Sequence, residues 1–438
     1  MAKDRSGTTR RAFLATGALA FAAGCTSTND SASTPTSTPT NSSTTTPVGT
    51  PGSTTTQTET QTPTPAAPQV SPEYLGSYID SGEVVDDMSD LSEWSGEGTV
   101  RADEEARFHG DQSLYYENTG SVSLTRRFGY ADPLDLSDKS LSFSAWFDEP
   151  KDAQPTFTVF AKAPDRHNRV RMEMSYTANK KAGWQRYDPS TTAIEGSPDL
   201  SNVTELRFAA YGGDHDFKFH LGDLRVHDKP EKGKVIFRFD DTHRQHYSDF
   251  YPILDDYGYP GIEAVVKQAV GNADRLTPSH LLEMRDAGWD LCHHTRYHDN
   301  IAEISEKTLR ADIAEMNEFF DDLGAPEGKD YAIYTFGAYD GASMDVMADN
   351  FDLVFGGGGL GNYNLTNPMA VNSLGSDGDV DGAIELVDQA AEFRSLAVPF
   401  FHQEDPEEFQ RLVDHVHDLE QAGKVDVINA SDLHAYLY

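Results

Sequence analysis

The chain has 438 residues, more than one compact domain ordinarily holds, so at least two domains are expected. Its 72 acidic against 35 basic side chains give a formal net charge of -37, which repels nucleic acid and excludes it as a partner. The charge is spread rather than blocked, the halophilic pattern of a surface that stays soluble in concentrated salt. Two cysteines, Cys25 and Cys292, exclude both a disulfide framework and a Cys-rich structural zinc site.

Thr9-Arg10-Arg11-Ala12-Phe13-Leu14 has the twin-arginine export form, and the apolar run Phe13 to Ala23 is too short to span a bilayer. It ends in Ala22-Ala23-Gly24-Cys25, which resembles a lipoprotein cleavage box. Residues 1–25 are therefore read as an export signal, with Cys25 lipidated and the chain anchored to the outer face of the cell membrane. Cleavage and release is the alternative. Residues 26–71 are Ser, Thr, Pro and Gly with few apolar side chains, a disordered linker that no core can order. Asn29 and Asn41 lie there in Asn-x-Ser sequons.

Residues 72–228 read as all-β. Leu141, Phe143, Ala145 and Phe147 alternate with polar positions, as do Phe157, Val159 and Ala161, then Val170, Met172, Met174 and Tyr176, then Phe217, Phe219 and Leu221. Period-two runs between Gly, Pro and Asp turns predict antiparallel strands with one buried face, hence a sandwich. His109-Gly110-Asp111-Gln112-Ser113-Leu114 and Leu221-Gly222-Asp223-Leu224-Arg225-Val226 resemble jelly-roll modules appended to carbohydrate enzymes. In such a module Trp184 and Tyr187 would either stack on a sugar ring or pack into the sandwich.

Residues 233–438 change character. Val235 to Phe239 predicts a strand. Thr277-Pro278 opens a helix that Gly288 ends, and Leu309, Ile313, Met316, Phe320 and Leu323 recur at helical spacing up to Gly324. Asp405-Pro406-Glu407-Glu408 reads as a capping box for a helix through Phe409, Leu412, Val413 and Val416. Apolar runs at 352–355, 395–401 and 425–428 predict buried strands. Strands alternating with helices imply a parallel α/β layer or barrel.

Asp240-Asp241 closes the Val235–Phe239 run, where parallel strands present functional groups. Neighbouring side chains point apart there, so one carboxylate can bind a metal while the other faces substrate. His294 and His298 lie four residues apart after another apolar step. Two imidazoles and one carboxylate form the three-ligand set of a catalytic divalent ion, zinc or another. His293 and Cys292 read as packing residues. His243 and His246 are candidates to line a substrate cleft. Gly356–Gly359 lacks the Gly-Lys-Ser/Thr ending of a phosphate loop and reads as flexible backbone near the site.

These residues resemble the polysaccharide deacetylase family, the NodB-homology domain of carbohydrate esterase family 4. Phe239-Asp240-Asp241 is similar to its first motif and His294-Thr295-Arg296-Tyr297-His298 to its second. Tyr334-Thr335-Phe336-Gly337-Ala338-Tyr339 resembles the third, and Pro399-Phe400-Phe401-His402 the last. The resemblance implies a distorted (β/α) barrel, a metal held by Asp241, His294 and His298, Asp240 as base and His402 as acid. It also implies an oxyanion contact from the Phe336 N–H. Departures are Ile333 in place of an arginine that orients the base, Thr335 in place of proline, and Thr242 in place of glycine. Asp377, Asp379 and Asp381 are the candidates for the carboxylate that tunes the acid histidine. Arg238, two residues before Asp240 on the same strand face, is expected to replace the missing arginine.

The expected function is removal of N-acetyl groups from an extracellular or cell-surface polysaccharide. The alternatives are a catalytically inactive glycan-binding protein, and a related hydrolase of O-acetyl esters or of another carbon–nitrogen amide.

Overall fold

A computed structural model describes residues 81–150, 156–174, 183–356 and 367–437. The export signal, Cys25, the linker with Asn29 and Asn41, Tyr176 and Gly357–Gly359 lie outside the described residues. Among the described residues no helix is long and apolar enough to cross a membrane.

The β-region is antiparallel and is organised by two long strands, Ser113–Arg127 and Glu205–Asp228, paired along their lengths from Leu221↔Leu114 to Glu205↔Arg127. An irregularity between Tyr211 and Asp216 breaks their register. On one side of it Phe208 pairs with Val159 of strand Phe157–Asp165, and on the other Leu224 pairs with Phe143 of strand Lys139–Glu149. One strand thus serves both layers of a sandwich. The alternating residues meet between the layers. Phe143 lies edge-on to Phe208 at 5.4 Å, Phe157 edge-on to Phe219 at 5.7 Å, and all four are fully buried.

Trp184 and Tyr187 are only 2% and 9% exposed. Tyr187 is edge-on to Phe147 at 5.5 Å within the core, and Trp184 packs on Phe108 at 5.5 Å. Neither offers a free face to a sugar, so packing wins over stacking. Period two shows that one face of a strand is covered but leaves open whether the other is covered too.

The second region is a parallel α/β layer. Its seven-stranded sheet runs in the order Leu353–Phe355, Tyr331–Ile333, Asp290–His293, Ile262–Val265, Arg238–Asp240, Pro399–Phe401, Leu374–Gly375. A three-stranded parallel sheet, Leu396–Ala397, Gly233–Val235 and Val425–Val427, continues it, because the strand predicted over 235–239 is one run broken at Ile236-Phe237. The Ile236 N–H to Ala397 carbonyl bond (2.9 Å) and the Ile262 N–H to Phe237 carbonyl bond (2.9 Å) carry the ladder across the break. Val371 bridges to Phe355 while Leu374 pairs with Pro399, so the two sheet edges approach through residues 371–375 and the sheet curls into a distorted barrel.

Side chains alternate across this sheet. Phe239 faces the helices, 5.0 Å from Trp289 and 5.5 Å from Phe250, whereas Ile236, Ala264, Cys292, Ile333 and Val398 fill a separate cluster on the other face. The helix ends obey their sequence signals. Thr277 caps Pro278–Asp286, Gly324 ends Glu306–Leu323 in the left-handed conformation (φ 83°), and Asp405 accepts the Glu407 N–H at 2.9 Å at the start of Pro406–Gln421. The reciprocal half of the expected Asp405 capping box is absent. The Asp405 N–H goes to Glu404 (2.7 Å), because Glu408 pairs with Arg411 (2.6 Å) instead.

The β-region buries an ion pair, Arg186 to Asp223 at 2.8 Å, with Arg225 on the second Asp223 oxygen at 2.6 Å and Ser144 donating at 2.8 Å. Removing one partner of such a pair strands a charge away from water. Arg186→Leu is expected to destabilise the β-region by about 3–5 kcal/mol, read as a lower urea midpoint, whereas Arg101→Leu at an exposed pair is expected to change stability by less than about 1 kcal/mol.

Candidate metal centre

The parallel strands all end at one mouth. Asp240, His293, Ile333 and Phe401 are the last residues of four of them, so the residues that follow, Asp241, His294 and His402, enter a common space. The backbone there is strained. Asp241 (φ 75°), Thr242 (63°), Thr295 (61°), His298 (63°) and Phe336 (59°) are all left-handed without being glycine. Each such residue costs on the order of 1 kcal/mol or more and persists only where its surroundings hold it. Thr242 shows how. Its hydroxyl accepts the Val266 N–H (2.9 Å) and its carbonyl accepts the Leu276 N–H (2.9 Å), so threonine keeps a turn where glycine would be easier.

Asp241, His294 and His298 converge, their ligand atoms all within 4.8 Å of one another. Asp241 Oδ1 lies 3.0 Å from His298 Nε2 and 3.5 Å from His294 Nε2. The His294 Nδ1 is 2.9 Å from the Ile333 carbonyl, which can only accept, so Nδ1 carries the proton and Nε2 turns its lone pair toward Asp241. Burial raises the Asp241 carboxyl, but His294 and His298 in their protonated forms outweigh it, and the net direction is down. An ionised carboxylate and imidazole nitrogens aimed at one point fit a divalent cation with positions left for water and substrate. His and Asp donors suit several such ions. Cys292 is fully buried in the barrel cluster and takes no part. His293 is buried as well and accepts the Thr295 N–H at 3.2 Å, supporting the ligand loop from beneath.

Asp240, only 3% exposed, is gripped by Arg238 through two bonds, Nε to Oδ1 at 2.8 Å and Nη2 to Oδ2 at 2.6 Å. The third guanidinium nitrogen, Nη1, donates to the Gly356 carbonyl at 2.5 Å, and the group lies over the Phe400 ring at 4.4 Å. Ile333, at the position of the family's arginine, sits in the apolar cluster, so the guanidinium arrives from the strand of Asp240 itself. Burial pushes the Asp240 carboxyl up, the Arg238 charge and then His294 pull it down, and the net direction is down.

Among the three candidate carboxylates, Asp377 meets His402. Its Oδ2 is 2.6 Å from Nδ1, and its Oδ1 accepts the His402 N–H (2.8 Å) and the Gln403 N–H (3.2 Å). That bond raises the His402 pKa against the effect of burial. Asp379 instead caps helix Val380–Phe393, and Asp381 pairs with Arg411 at 2.9 Å. Phe336 holds its ring 67% exposed and edge-on to His298 at 4.5 Å.

His246 departs from expectation. It is fully buried and does not line a cleft, whereas His243 is half-buried with its ring 5.7 Å away. The His246 Nδ1 meets Glu263 Oε2 at 2.8 Å and its Nε2 meets the His402 carbonyl at 2.9 Å. Burial pushes Glu263 up to about 7. Sequence reasoning passed over Glu263, although a lone acid inside Gly261-Ile262-Glu263-Ala264-Val265 is the signal that marks it. Arg275, whose Nη1 donates to the Asp241 carbonyl at 2.7 Å, carried no such signal.

Asp241→Ala is expected to weaken divalent-ion affinity beyond the roughly 10–100-fold that loss of an outer hydrogen-bond partner costs. Cys292→Ala should leave it unchanged. Metal content of the purified variants checks both.

Residues 227–350 match the family described as polysaccharide deacetylase. The putative polysaccharide deacetylase YxkH of Bacillus subtilis (strain 168) is 26% identical over 95 residues, which cover 22% of this chain and 34% of that protein, about a third of its length. Among solved structures, the chitin deacetylase of Colletotrichum lindemuthianum is similar at 12% identity and a TM-score of 0.35, covering 47% of this chain and 89% of that one. A family 4 acetyl xylan esterase from Clostridium thermocellum in complex with a cobalt ion is similar at 16% identity and a TM-score of 0.35, covering 46% and 91%. His402 and Asp377 lie beyond the matched segment, which contains Arg238, Asp240, Asp241, His294, His298 and Phe336. Residues 227–350 thus match a polysaccharide deacetylase domain, and within them Asp241, His294 and His298 form an Asp-His-His set able to hold a divalent metal ion.

Proposed function

We propose that the protein is a metal-dependent hydrolase that removes N-acetyl groups from an extracellular or cell-surface polysaccharide. The observation that carries this reading is the placement of a buried, arginine-held carboxylate beside the metal triad, with an aspartate-held imidazole at the same barrel mouth. Amide hydrolysis needs an activated water, charge stabilisation on the tetrahedral intermediate, and a proton for the leaving nitrogen. A divalent ion held by Asp241, His294 and His298 supplies Lewis-acid polarisation.

The remaining work falls to side chains. Asp240 takes the proton from the attacking water, and Arg238 keeps it ionised and correctly turned. His402, whose pKa Asp377 raises, delivers a proton to the departing amine. The Phe336 N–H belongs to the left-handed turn that follows strand Tyr331–Ile333 at the barrel mouth, and it is the candidate oxyanion donor. The export motif and Cys25 support delivery to the outer face of the membrane through a lipid anchor. Cys25→Ser should release the protein from the membrane fraction.

Acetate release from N-acetylated oligosaccharides is expected to stop with chelator and return with added divalent ion. Asp240→Asn and His402→Gln should each lower kcat by about 10²–10⁴-fold with bound metal retained. Release from O-acetylated substrates alone would move the assignment to an esterase. Glycan binding with no release would leave a binding protein.

The pH profile tests His402. Its pKa is raised by Asp377, so the proton it donates persists to higher pH than on an unpaired imidazole and is lost as pH rises through that raised value. Asp377→Asn should therefore shift the alkaline limb of kcat/KM to lower pH. An unmoved limb would remove His402 from the acid role.

A further inference from the structure

The sheet–helix layer is apolar, yet it encloses Glu263 and His246. Both are fully buried, and His246 lies 5.4 Å from the Phe239 ring and 6.1 Å from Phe250. Taking a carboxylate and an imidazole out of water is expensive, and apolar residues of similar volume at such sites are often as stable or more so. Stability therefore does not explain the pair. Its contacts do. Glu263 Oε2 meets His246 Nδ1 at 2.8 Å, and the opposite nitrogen, Nε2, meets the His402 main-chain carbonyl at 2.9 Å. A carbonyl only accepts, so His246 must carry hydrogen on Nε2. Glu263 at Nδ1 holds the ring in that state, whether the proton between them rests on oxygen or on nitrogen.

His402 is consequently held on both sides of its α-carbon: its N–H by Asp377 at 2.8 Å and its carbonyl by His246. The neighbouring Gln245 adds a second stitch, its amide donating to the Glu404 carbonyl (2.8 Å) and accepting the Glu404 N–H (3.3 Å). Both stitches come from the start of the helical segment that follows the Asp241-Thr242 turn. We infer that Glu263 and His246 are positioning residues that lock the main chain of His402, and so its imidazole, in register with the loop that carries the metal ligand Asp241.

This rests on His402 serving as the acid, and its test separates the two ideas. Two double variants remove the carboxylate: Glu263→Leu with His246→Phe has no donor to the His402 carbonyl, while Glu263→Leu with His246→Gln keeps one. The first is expected to lose kcat by about tenfold or more with KM and metal content unchanged, and the second to stay within about threefold of the parent. Equal kcat in the two, with both folded, overturns the inference. If the donor-less variant fails to fold, Glu263→Gln carries the test. Its amide still donates to Nδ1 and keeps hydrogen on Nε2, so kcat should stay near that of the parent, and a tenfold loss with unchanged Tm and metal content overturns the idea. A parent that releases no acetate sinks the functional reading instead. Nitrogen NMR of ¹⁵N-histidine-labelled protein, with His246 assigned by its Gln variant, is independent of activity. It should show Nε2 protonated at neutral pH, and a bare Nε2 overturns the inference.

Discussion

A carboxylate survives as an anion inside this barrel because a guanidinium is clamped to it. Arg238 and Asp240 are 1% and 3% exposed, and an isolated buried aspartate would take up a proton rather than stay charged. The two-point grip, the Gly356 carbonyl on the remaining nitrogen and the Phe400 ring beneath together satisfy a group that water cannot reach. Strand Arg238–Asp240 can therefore end in a charged residue in the middle of the sheet. Everything at the mouth is arranged about that end: Asp241 turns away to the histidines, and His402 arrives on the adjacent strand.

The second constraint is backbone strain held by short-range bonds. Five left-handed residues lie in and around the triad, and hydrogen bonds to Val266 and Leu276 hold Thr242 while bonds to His293 and Asp299 hold Thr295. Rigid surroundings make this possible. Phe239, Phe250, Trp289 and Phe409 form a packed layer under the strand end, and the helices over them are capped at both ends where the chain must turn. Preorganised donors that need not move during a reaction are worth more than mobile ones, and this is where the fold's stability is spent.

Local signals in the chain were informative wherever the physics is local. Caps at Thr277 and Asp405, the stop at Gly324 and the period-two runs through Phe143 and Phe219 all depend on residues a few positions apart. Arg238 was legible for the same reason, since a side chain two residues away on a strand lies on the same face. Distant partners were not legible. Asp377, Asp379 and Asp381 are equivalent by spacing, and only the fold brings the first to His402 while the others cap a helix or meet Arg411. Trp184 and Tyr187 were suited to a core or to a sugar platform, and His246, a cleft candidate by its place in the chain, is put in the interior by the fold.

The amino-acid order by itself determined the two-region plan, the parallel layer and the donor types for a metal, because periodicity, capping and ligand chemistry are properties of short stretches. Which carboxylate joins the imidazoles, which aspartate holds the acid and what lies beneath it were decided by strand order and loop closure. Those bring together residues more than a hundred positions apart, such as His246 with His402 and Arg238 with Gly356, and no pattern along the chain encodes such meetings.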